Sequence, residues 1–293
     1  MPEAPTATVA DEQELRERLR GCSTTRWLAD GRVARIEGGL SNRAWRLDAN
    51  GERWFVRLGH PEAARLGVDR ESECAVLRAA AAAGLAPAVH ACEPACGLLV
   101  TRFIDGRTWT ATDAQRPGNL RRAAERLRRL HELPVPAGIH AVDYEHQARR
   151  LAATLPEGDA TATLLAGQAA VAFARIGDGG HATVMCHNDL HHLNLLDDGD
   201  RLWLVDWEYG GRGNPLFDVA SFLALHDLGP AATAVFLDAY GRLPAADRSR
   251  LEDACWLFDY VQWLWYRSRF PEPVGDEAWF AQRLAQRLLR CNN

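Results

Sequence analysis

The residues best suited to chemistry lie between positions 187 and 206 of this 293-residue chain. Asp189 and Asn194 are followed by LLDDGDRLWLVD, in which apolar residues flank a short Asp/Gly turn. This pattern predicts a β-hairpin that folds back and returns Asp206 to the level of Asn194. Carboxylate and amide oxygens are the ligands that Mg²⁺ prefers in proteins. The segment therefore predicts a magnesium site formed by Asn194 and Asp206.

Asp189 stands upstream of these two ligands, where a substrate hydroxyl would meet the terminal phosphate of a nucleotide. Its carboxylate can orient that hydroxyl and accept its proton, as in the D-x-x-x-x-N catalytic loop of kinases. The spacing alone is weak, because Asp and Asn are common turn residues. The preceding His187, the hairpin and the second aspartate are together much rarer by chance. We therefore predict a phosphotransferase site with Asp189 as the catalytic base.

The run HNDLHHLNLL, followed by LVDWEYGGRGNPLFDVA, resembles the aminoglycoside phosphotransferase and choline kinase superfamily. Choline/ethanolamine kinases and bacterial thiamine kinases are the closer likeness, since their metal aspartate sits in a similar D-[FW]-E-Y run. The likeness extends over residues 36–225 and is most specific at 187–218. It implies an α+β, two-lobed protein-kinase-like fold, with a small antiparallel-sheet N-lobe and a larger, mainly helical C-lobe. It also implies ATP as cosubstrate and Mg²⁺ as cofactor.

The resemblance also implies where the nucleotide phosphates bind. The family covers them with a glycine turn written G-G-[LM]-[ST]-N, whose backbone amides approach phosphate oxygens closely. In this chain the corresponding residues are Gly38, Gly39, Ser41 and Asn42. Two glycines before a strand are commonplace, so the turn is weak by itself.

Other nucleotide contacts are implied for the same lobe. The family's cationic residue on the third strand falls on Arg57, where protein kinases carry lysine; this chain contains no lysine. A guanidinium can still pair with phosphate and with a helix carboxylate. Glu73 has the expected spacing for that carboxylate, and Glu71 is the alternative. Thr101 and Phe103 match the linker whose backbone groups bond adenine.

Two residues near the catalytic segment are assigned supporting roles, and a third stays open. His187 is expected to support the loop rather than to ionise. Asp218 resembles the aspartate that braces the catalytic loop, and it also suits the N-terminus of a helix. Glu208 either touches the metal or the substrate, or makes a structural hydrogen bond.

The acceptor is suggested by an aromatic run, WLFDYVQWLWY, at positions 256–266. Three of its members share one helix face: Trp256, Tyr260 and Trp263. Such a stripe is more often core, yet choline kinases hold a quaternary ammonium group in an aromatic cage, worth about 0.5–2 kcal/mol per ring. Asp259 and Glu208 offer negative charge to the same cation.

Choline or ethanolamine is accordingly the first expectation for the acceptor, followed by thiamine and then by an aminoglycoside or a sugar. A catalytically silent nucleotide-binding pseudokinase is the alternative from another class. A protein kinase is disfavoured, because the chain lacks an APE-like segment and a long activation loop. The sequence does not decide between ATP and GTP.

The surrounding elements fit two lobes, with an N-lobe over 1–104, a C-lobe over 105–293 and ATP between them. The following elements are predicted: a hairpin within 33–58, a helix at 69–83, strands at 88–92 and 98–103, and helices at 118–133, within 144–176 and after 216.

Composition narrows the functional class. A net charge of −5 and a pI near 6.1 argue against a nucleic-acid partner. No apolar run approaches the roughly 20 residues needed to cross a bilayer, and the N-terminus does not resemble a secretion signal. We therefore expect a cytoplasmic enzyme acting on a small-molecule alcohol, without a membrane partner; the oligomeric state is not determined. Seven scattered cysteines are expected to be reduced thiols.

Overall fold

The computed structural model describes most of the chain, in the ranges 9–37, 42–60, 63–177, 183–241, 243–270 and 275–291. Among these residues no helix combines the length and the apolar character needed to cross a bilayer. The chain divides into two compact units. The first unit comprises Met1–Trp109, Pro136–His140 and Leu193–Gly210. The second comprises Thr110–Val135, Ala141–His192 and Gly211–Asn293.

Strands and helices are numbered along the chain. The strands are β1 (Arg32–Ile36), β2 (Arg43–Ala49), β3 (Glu52–Leu58), β4 (Val89–Glu93), β5 (Leu98–Arg102), β6 (Arg107–Thr108), β7 (Val184–Cys186), β8 (Leu195–Asp197), β9 (Leu202–Leu204) and β10 (Gly211–Gly213). The α-helices are α1 (Val9–Gly21), α2 (Arg70–Ala82), α3 (Pro117–His131), α4 (Tyr144–Ala152), α5 (Ala160–Ile176), α6 (Pro215–Leu225), α7 (Pro230–Tyr240), α8 (Ala245–Ser249), α9 (Leu251–Arg269) and α10 (Gly275–Cys291).

The first unit is built on a five-stranded antiparallel sheet in the order β1-β2-β3-β5-β4. Strands β2 and β3 form the predicted hairpin, in which Ala49 pairs with Glu52. Its two-residue turn has positive φ at both Asn50 (52°) and Gly51 (75°). Asn-Gly is the preferred sequence for such a turn, because both residues tolerate the left-handed region. The hairpin prediction is confirmed.

One face of this sheet is covered by α1 and the turn that follows it. Leu15 and Leu19 of α1 join Trp45, Val56 and Val100 in one buried apolar cluster. Each of these side chains is at most 1% exposed. Burying such a side chain contributes about 1.5–3 kcal/mol, so this cluster is the main stabilising core of the first unit.

Helix α2 has clear start and stop signals. The carboxylate of Asp69 accepts a hydrogen bond from the N–H of Ser72 at 3.0 Å, which caps the helix start. Gly84 follows the last turn with φ 70°, where a left-handed residue suits the helix end. The capped helix fixes the direction of the acidic residues in its first turn.

A second sheet of the first unit has the strand order β6-β8-β9. Leu195 pairs with Leu204, so the predicted hairpin around the Asp/Gly turn is confirmed. The N–H of Leu204 donates to the carbonyl of Leu85 at 2.8 Å, and that of Trp109 to Leu195 at 2.9 Å. These bonds place residues 193–210 in the first unit, whereas the sequence boundary at 104 had assigned them to the C-lobe.

The second unit is mainly helical. Helix α9 packs against α4, α5, α6 and α10, and α3 packs against α7. A two-stranded antiparallel sheet pairs Cys186 of β7 with Gly211 of β10. In α3 the apolar side chains Leu120 and Leu127 are fully buried. The predicted helix at 118–133 is therefore confirmed with slightly different ends.

The expectation of reduced thiols is wrong for one pair of cysteines. Cys74 in α2 and Cys92 in β4 form a disulfide, with their Cα atoms 5.8 Å apart. Because these residues are 18 positions apart and belong to different elements, only the packing of α2 against β4 brings them together. Among the residues whose side chains are described, four other cysteines are free thiols: Cys22, Cys96, Cys186 and Cys255.

Candidate active site

In the first unit, the β8–β9 hairpin brings the two predicted metal ligands to the same end. The N–H of Val205 donates to the carbonyl of Asn194 at 3.0 Å, which extends the ladder by one step. Asp206 follows with φ 62°, a left-handed conformation that ends the ladder. Its side chain is 41% exposed, whereas Asn194 is buried. The hairpin thus places an amide and an accessible carboxylate next to each other along the ladder.

Arg57 on β3 connects this segment to helix α2. Its Nη2 lies 2.6 Å from Oε1 of Glu73, and its Nη1 donates to Oδ1 of Asp206 at 3.4 Å. Burial opposes the charge of Arg57, but the neighbouring carboxylates raise its pKa, so the guanidinium stays protonated. Glu71 is exposed, so Glu73 is the helix carboxylate that pairs with the strand arginine.

Arg70, at the start of α2, is a residue that the sequence analysis missed. Its Nη1 donates to Oε2 of Glu73 at 2.6 Å and lies 3.6 Å from Oε2 of Glu208. Its Nη2 donates to Oδ1 of Asn42 at 3.1 Å. An arginine near a helix start is usually solvated; the available signal was its i, i+3 spacing to Glu73, which puts both on one side of the helix.

Glu208 completes the arrangement. Its Oε2 accepts a hydrogen bond from Nδ2 of Asn42 at 2.9 Å. Burial and the charge of Asp206 raise the pKa of Glu208 to about 7. Glu208 thus makes a structural hydrogen bond, and its contact with the metal or the substrate stays a prediction.

Together these side chains form a continuous series of ion pairs that runs from Asp206 to Glu208 and is here called the charge ring: Asp206, Arg57, Glu73, Arg70 and Glu208. With every member ionised, three carboxylates face two guanidinium groups, which leaves one net negative charge. Buried charge of one sign is costly unless it is paired, so the ring favours an added cation. Asn194 and Asp206 both offer side-chain oxygen atoms as ligands, and such a donor set fits Mg²⁺.

Three members of the predicted phosphate turn, Gly38, Gly39 and Ser41, lie outside the described residues. Asn42 is the first residue described after them. Its side-chain amide contacts both Arg70 and Glu208, and its Oδ1 lies 3.4 Å from the N–H of His60. The residue that ends the turn is therefore attached to the charge ring.

The predicted adenine linker follows β5. Thr101 is buried, and its hydroxyl donates to the carbonyl of Arg102 at 3.3 Å. The N–H of Phe103 donates to the carbonyl of Arg53 at 3.0 Å. These bonds fix the backbone of the linker within the first unit.

In the second unit, Asp218 binds the backbone of the predicted catalytic loop. Its carboxylate accepts hydrogen bonds from the N–H groups of His187 at 2.8 Å and Asn188 at 2.5 Å. It also accepts one from Nε2 of His131 at 2.9 Å. Burial disfavours the charge of Asp218, but hydrogen bonds, above all from His131, hold its pKa below the usual value. Asn188 has φ 64°, which turns the chain into Asp189.

Asp189 itself has a side chain that is 21% exposed, and Nε2 of His191 lies 3.6 Å from its Oδ2. Tyr144 is a second residue that the sequence did not reveal. Its hydroxyl donates to the carbonyl of Asn188 at 3.4 Å, and its ring stacks on Phe217 at 4.1 Å. Burial and nearby negative charges raise the pKa of Tyr144, so it remains a protonated donor.

The three aromatic residues proposed for a cation cage are buried in α9. Trp256 and Tyr260 stack with ring centres 5.5 Å apart, and Tyr260 and Trp263 with centres 6.4 Å apart. All three are at most 5% exposed, as expected for core residues.

Asp259, the other proposed acceptor ligand, is fully buried and paired with two arginines of α10. Nε of Arg283 donates to its Oδ2 at 3.2 Å, and Nε of Arg287 at 2.9 Å. Its charge is therefore already compensated within the second unit.

Tyr266, in the same aromatic run, has different surroundings. It is half-buried, and its ring lies 6.2 Å from that of Phe270 and 5.8 Å from that of Phe280. Burial, together with the charges of Asp276 and Asp189, raises its pKa to about 12. Among the residues of the run, Tyr266 thus combines an aromatic neighbourhood with the electrostatic influence of the predicted base.

A sequence profile described as "Phosphotransferase enzyme family" matches residues 32–253. Protein LicA of Haemophilus influenzae is 27% identical over 210 residues, a match that covers 69% of this chain and 61% of that protein. The chain thus spans about three fifths of the length of this relative.

Solved structures extend the comparison. A choline/ethanolamine kinase family protein from Mesorhizobium loti is 27% identical with a TM-score of 0.72, and 94% of this chain and 93% of that one are covered. The choline kinase LicA from Streptococcus pneumoniae is 18% identical with a TM-score of 0.78, covering 95% and 99%; at this identity the likeness shows the fold alone. The predicted superfamily and its α+β kinase-like fold are confirmed.

Proposed function

The chain belongs to the phosphotransferase enzyme family, and from this premise we propose that it is an ATP- and Mg²⁺-dependent kinase of a small cationic alcohol, with choline or ethanolamine as acceptor. The observation that carries the proposal is the position of Asp206. It leaves the end of the hairpin beside Asn194 and pairs with Arg57, which in turn pairs with Glu73. A strand cation, a helix carboxylate and a metal aspartate in this connection serve phosphoryl transfer in kinases.

In this proposal the first unit binds the nucleotide phosphates. Asn194 and Asp206 hold the metal, and Arg57 donates to phosphate oxygens while Glu73 keeps its guanidinium oriented. Gly38, Gly39, Ser41 and Asn42 cover the phosphates, and Thr101 and Phe103 contact adenine. When bound, Mg²⁺ neutralises charge that develops on the transferring phosphoryl group.

Asp189 is proposed to accept the proton of the acceptor hydroxyl while that oxygen attacks the terminal phosphorus. General base catalysis of this kind contributes roughly 10²–10⁴-fold. Asp218 supports the reaction indirectly, because it holds the N–H groups of His187 and Asn188 and so fixes the backbone just before Asp189.

The acceptor is proposed from the names of the similar proteins and from the aromatic content of α9 and α10. A quaternary ammonium group is attracted to aromatic faces, and within α9 Tyr266 is a half-buried aromatic residue whose pKa is raised by burial, by Asp276 and by the charge of Asp189. Trp256, Tyr260 and Trp263 shape the core behind it, and the paired Asp259 is not assigned to the cation. The cytoplasm, where ATP is supplied, remains the proposed compartment.

An acceptor panel tests the proposal. Choline, ethanolamine, thiamine, kanamycin and simple sugars are offered with MgATP or MgGTP, ADP or GDP release is followed, and the phosphorylated product is identified by mass. We expect the highest kcat/KM with ATP and with choline or ethanolamine. Nucleotide binding without any phosphorylated product would instead support a pseudokinase, and preference for thiamine or kanamycin would overturn the acceptor assignment.

Tyr266 tests the acceptor site directly. We expect Tyr266→Ala to raise the KM for choline about 10-fold, consistent with loss of a cation–π contact. Tyr266→Phe should retain most of the affinity, and the KM for MgATP should not change. The companion variant Trp256→Phe should leave the KM for choline unchanged, because that ring packs in the core; a rise would favour the cage predicted from the sequence.

A further inference from the structure

We propose that Arg70 is a positioning residue for nucleotide binding, which connects Asn42, helix α2 and the segment after β9 through its side-chain contacts. This inference rests on the proposed function and deepens it. Arg70 is not assigned to touch the nucleotide. It acts through Asn42, which ends the phosphate turn, and through Glu73, which orients Arg57.

The guanidinium group of Arg70 contacts three side chains. Its Nη1 donates to Oε2 of Glu73 at 2.6 Å and lies 3.6 Å from Oε2 of Glu208. Its Nη2 donates to Oδ1 of Asn42 at 3.1 Å. These partners come from α2, from the segment after β9 and from the residue before β2. A planar guanidinium with several donors can hold three such partners at once, whereas an ammonium group is a point charge. The side chain of Arg70 is only 12% exposed, so its ion pairs are shielded from water.

The guanidinium group of Arg70 occupies space that a side chain at position 59 would need. A Cβ atom on Gly59 would lie 2.6 Å from Nη2 and 2.9 Å from Cζ of Arg70, well inside van der Waals contact. The backbone of Gly59 continues from β3, where its N–H donates to the carbonyl of Gly97 at 2.9 Å. Because this strand position is fixed by that bond, a side chain at 59 would have to displace the guanidinium of Arg70.

Charge balance makes the same residue important for Arg57. Glu73 has one oxygen beside Arg57 and the other beside Arg70. Without Arg70, the charge ring would contain three carboxylates and one guanidinium. Glu73 and Glu208 would then compete for Arg57, which would turn it away from the orientation needed for a phosphate.

The test compares nucleotide and acceptor affinity in Arg70→Gln, Arg70→Lys and Gly59→Ala. MgADP binding is measured by calorimetry, and the KM values for MgATP and choline by steady-state kinetics. We expect Arg70→Gln to weaken MgADP binding and to raise the KM for MgATP about 10-fold, with the KM for choline within about twofold of wild type. Arg70→Lys should recover only part of the affinity, because an ammonium group cannot span all three partners.

Gly59→Ala provides an independent variant in which Arg70 is retained but displaced. It should weaken MgADP binding in the same direction, and the double variant with Arg70→Gln should bind no more weakly than Arg70→Gln alone. This non-additivity follows if Gly59 acts through Arg70. Arg78→Gln, which removes an exposed arginine from the same helix, is the matched control and should bind MgADP like wild type.

Unchanged MgADP affinity in Arg70→Gln, an equal shift in the KM for choline, or additive effects in the double variant would each overturn the inference. Failure of the proposed function gives a different result. A wild-type protein that binds MgADP but phosphorylates none of the alcohols contradicts the proposed function. The MgADP affinities of the Arg70 variants would still test the role of Arg70. A wild-type protein that binds no Mg-nucleotide overturns both.

Discussion

The charge ring of the first unit and the predicted catalytic loop of the second are held by different kinds of contact. The ring consists of side chains paired with one another, as when Glu73 contacts both Arg57 and Arg70. The loop is held by one buried carboxylate, Asp218, which accepts from the backbone N–H groups of His187 and Asn188. The first arrangement consists of ion pairs between side chains, and the second consists of hydrogen bonds from backbone N–H groups to one carboxylate.

This difference suits the proposed roles of the two regions. When all its members are ionised, the ring has more carboxylates than guanidinium groups and therefore favours a bound cation. Backbone hydrogen bonds fix the path of the chain without using the side chain of Asp189. We infer that the first unit binds the nucleotide phosphates and the metal, and that the second unit orients the carboxylate of Asp189.

The substitution Asp189→Ala is the strongest test of this difference between the two regions. We expect kcat to fall about 10³-fold, because the general base is lost. MgADP affinity, measured by calorimetry, should remain within about threefold of wild type, since the proposed phosphate and metal ligands belong to the first unit. Full retained activity would remove Asp189 from the mechanism, and loss of MgADP binding would contradict the separation of roles.

Asp206→Ala tests the binding side. We expect kcat/KM for MgATP to fall about 10²-fold and the Mg²⁺ concentration needed for half-maximal activity to rise, because one metal ligand is lost. The free energy of unfolding without nucleotide should change by no more than about 1 kcal/mol, since this half-exposed carboxylate belongs to a ring with excess negative charge. Urea unfolding checks stability, and an unchanged Mg²⁺ dependence would exclude Asp206 as a ligand.

Asp218→Asn keeps the size of the side chain but changes its hydrogen bonding. We expect a loss of roughly 2–4 kcal/mol in the free energy of unfolding, because a buried carboxylate that accepts from His131 is replaced by a neutral amide. At temperatures where the variant is folded, kcat should fall about 10-fold with the KM for MgATP little changed. A change confined to that KM would mean that Asp218 serves nucleotide binding instead.

The smallest effect on turnover is expected from the disulfide. Cys74→Ser should lower the free energy of unfolding by about 3 kcal/mol, because the crosslink closes a loop of 18 residues in the unfolded chain. Activity at low temperature should stay within about threefold, since Glu73 is also held by Arg57 and Arg70. Adding a thiol reductant to the wild type should reproduce the variant in urea unfolding; no difference between reduced and oxidised protein would contradict this stabilising role.

Local features were predictable from the sequence because their geometry is local. The β8–β9 hairpin has a short turn, so its register and the return of Asp206 toward Asn194 follow from pattern alone. The hairpin through Asn50 and Gly51 is another example, since the turn residues select the turn type.

Charge partners were less predictable. Glu73 was preferred over Glu71 from its spacing, and the ion pair with Arg57 agrees with that preference. The contacts of Arg70 with Asn42 and Glu208 were missed, because these residues lie 28 and 138 positions away and no pattern in the sequence connects them to Arg70. The partners of Asp259 were missed for the same reason.

The sequence by itself determined the superfamily and predicted the residues for a base and a metal, because both rest on spacing within a short segment of the chain. Tertiary structure decided which charges are compensated. It paired Asp259 with arginines of α10, linked Cys74 to Cys92 and placed Arg70 against Gly59. The physical reason is that an ion pair, a disulfide or a close contact depends on distance in space, which packing sets between residues far apart along the chain.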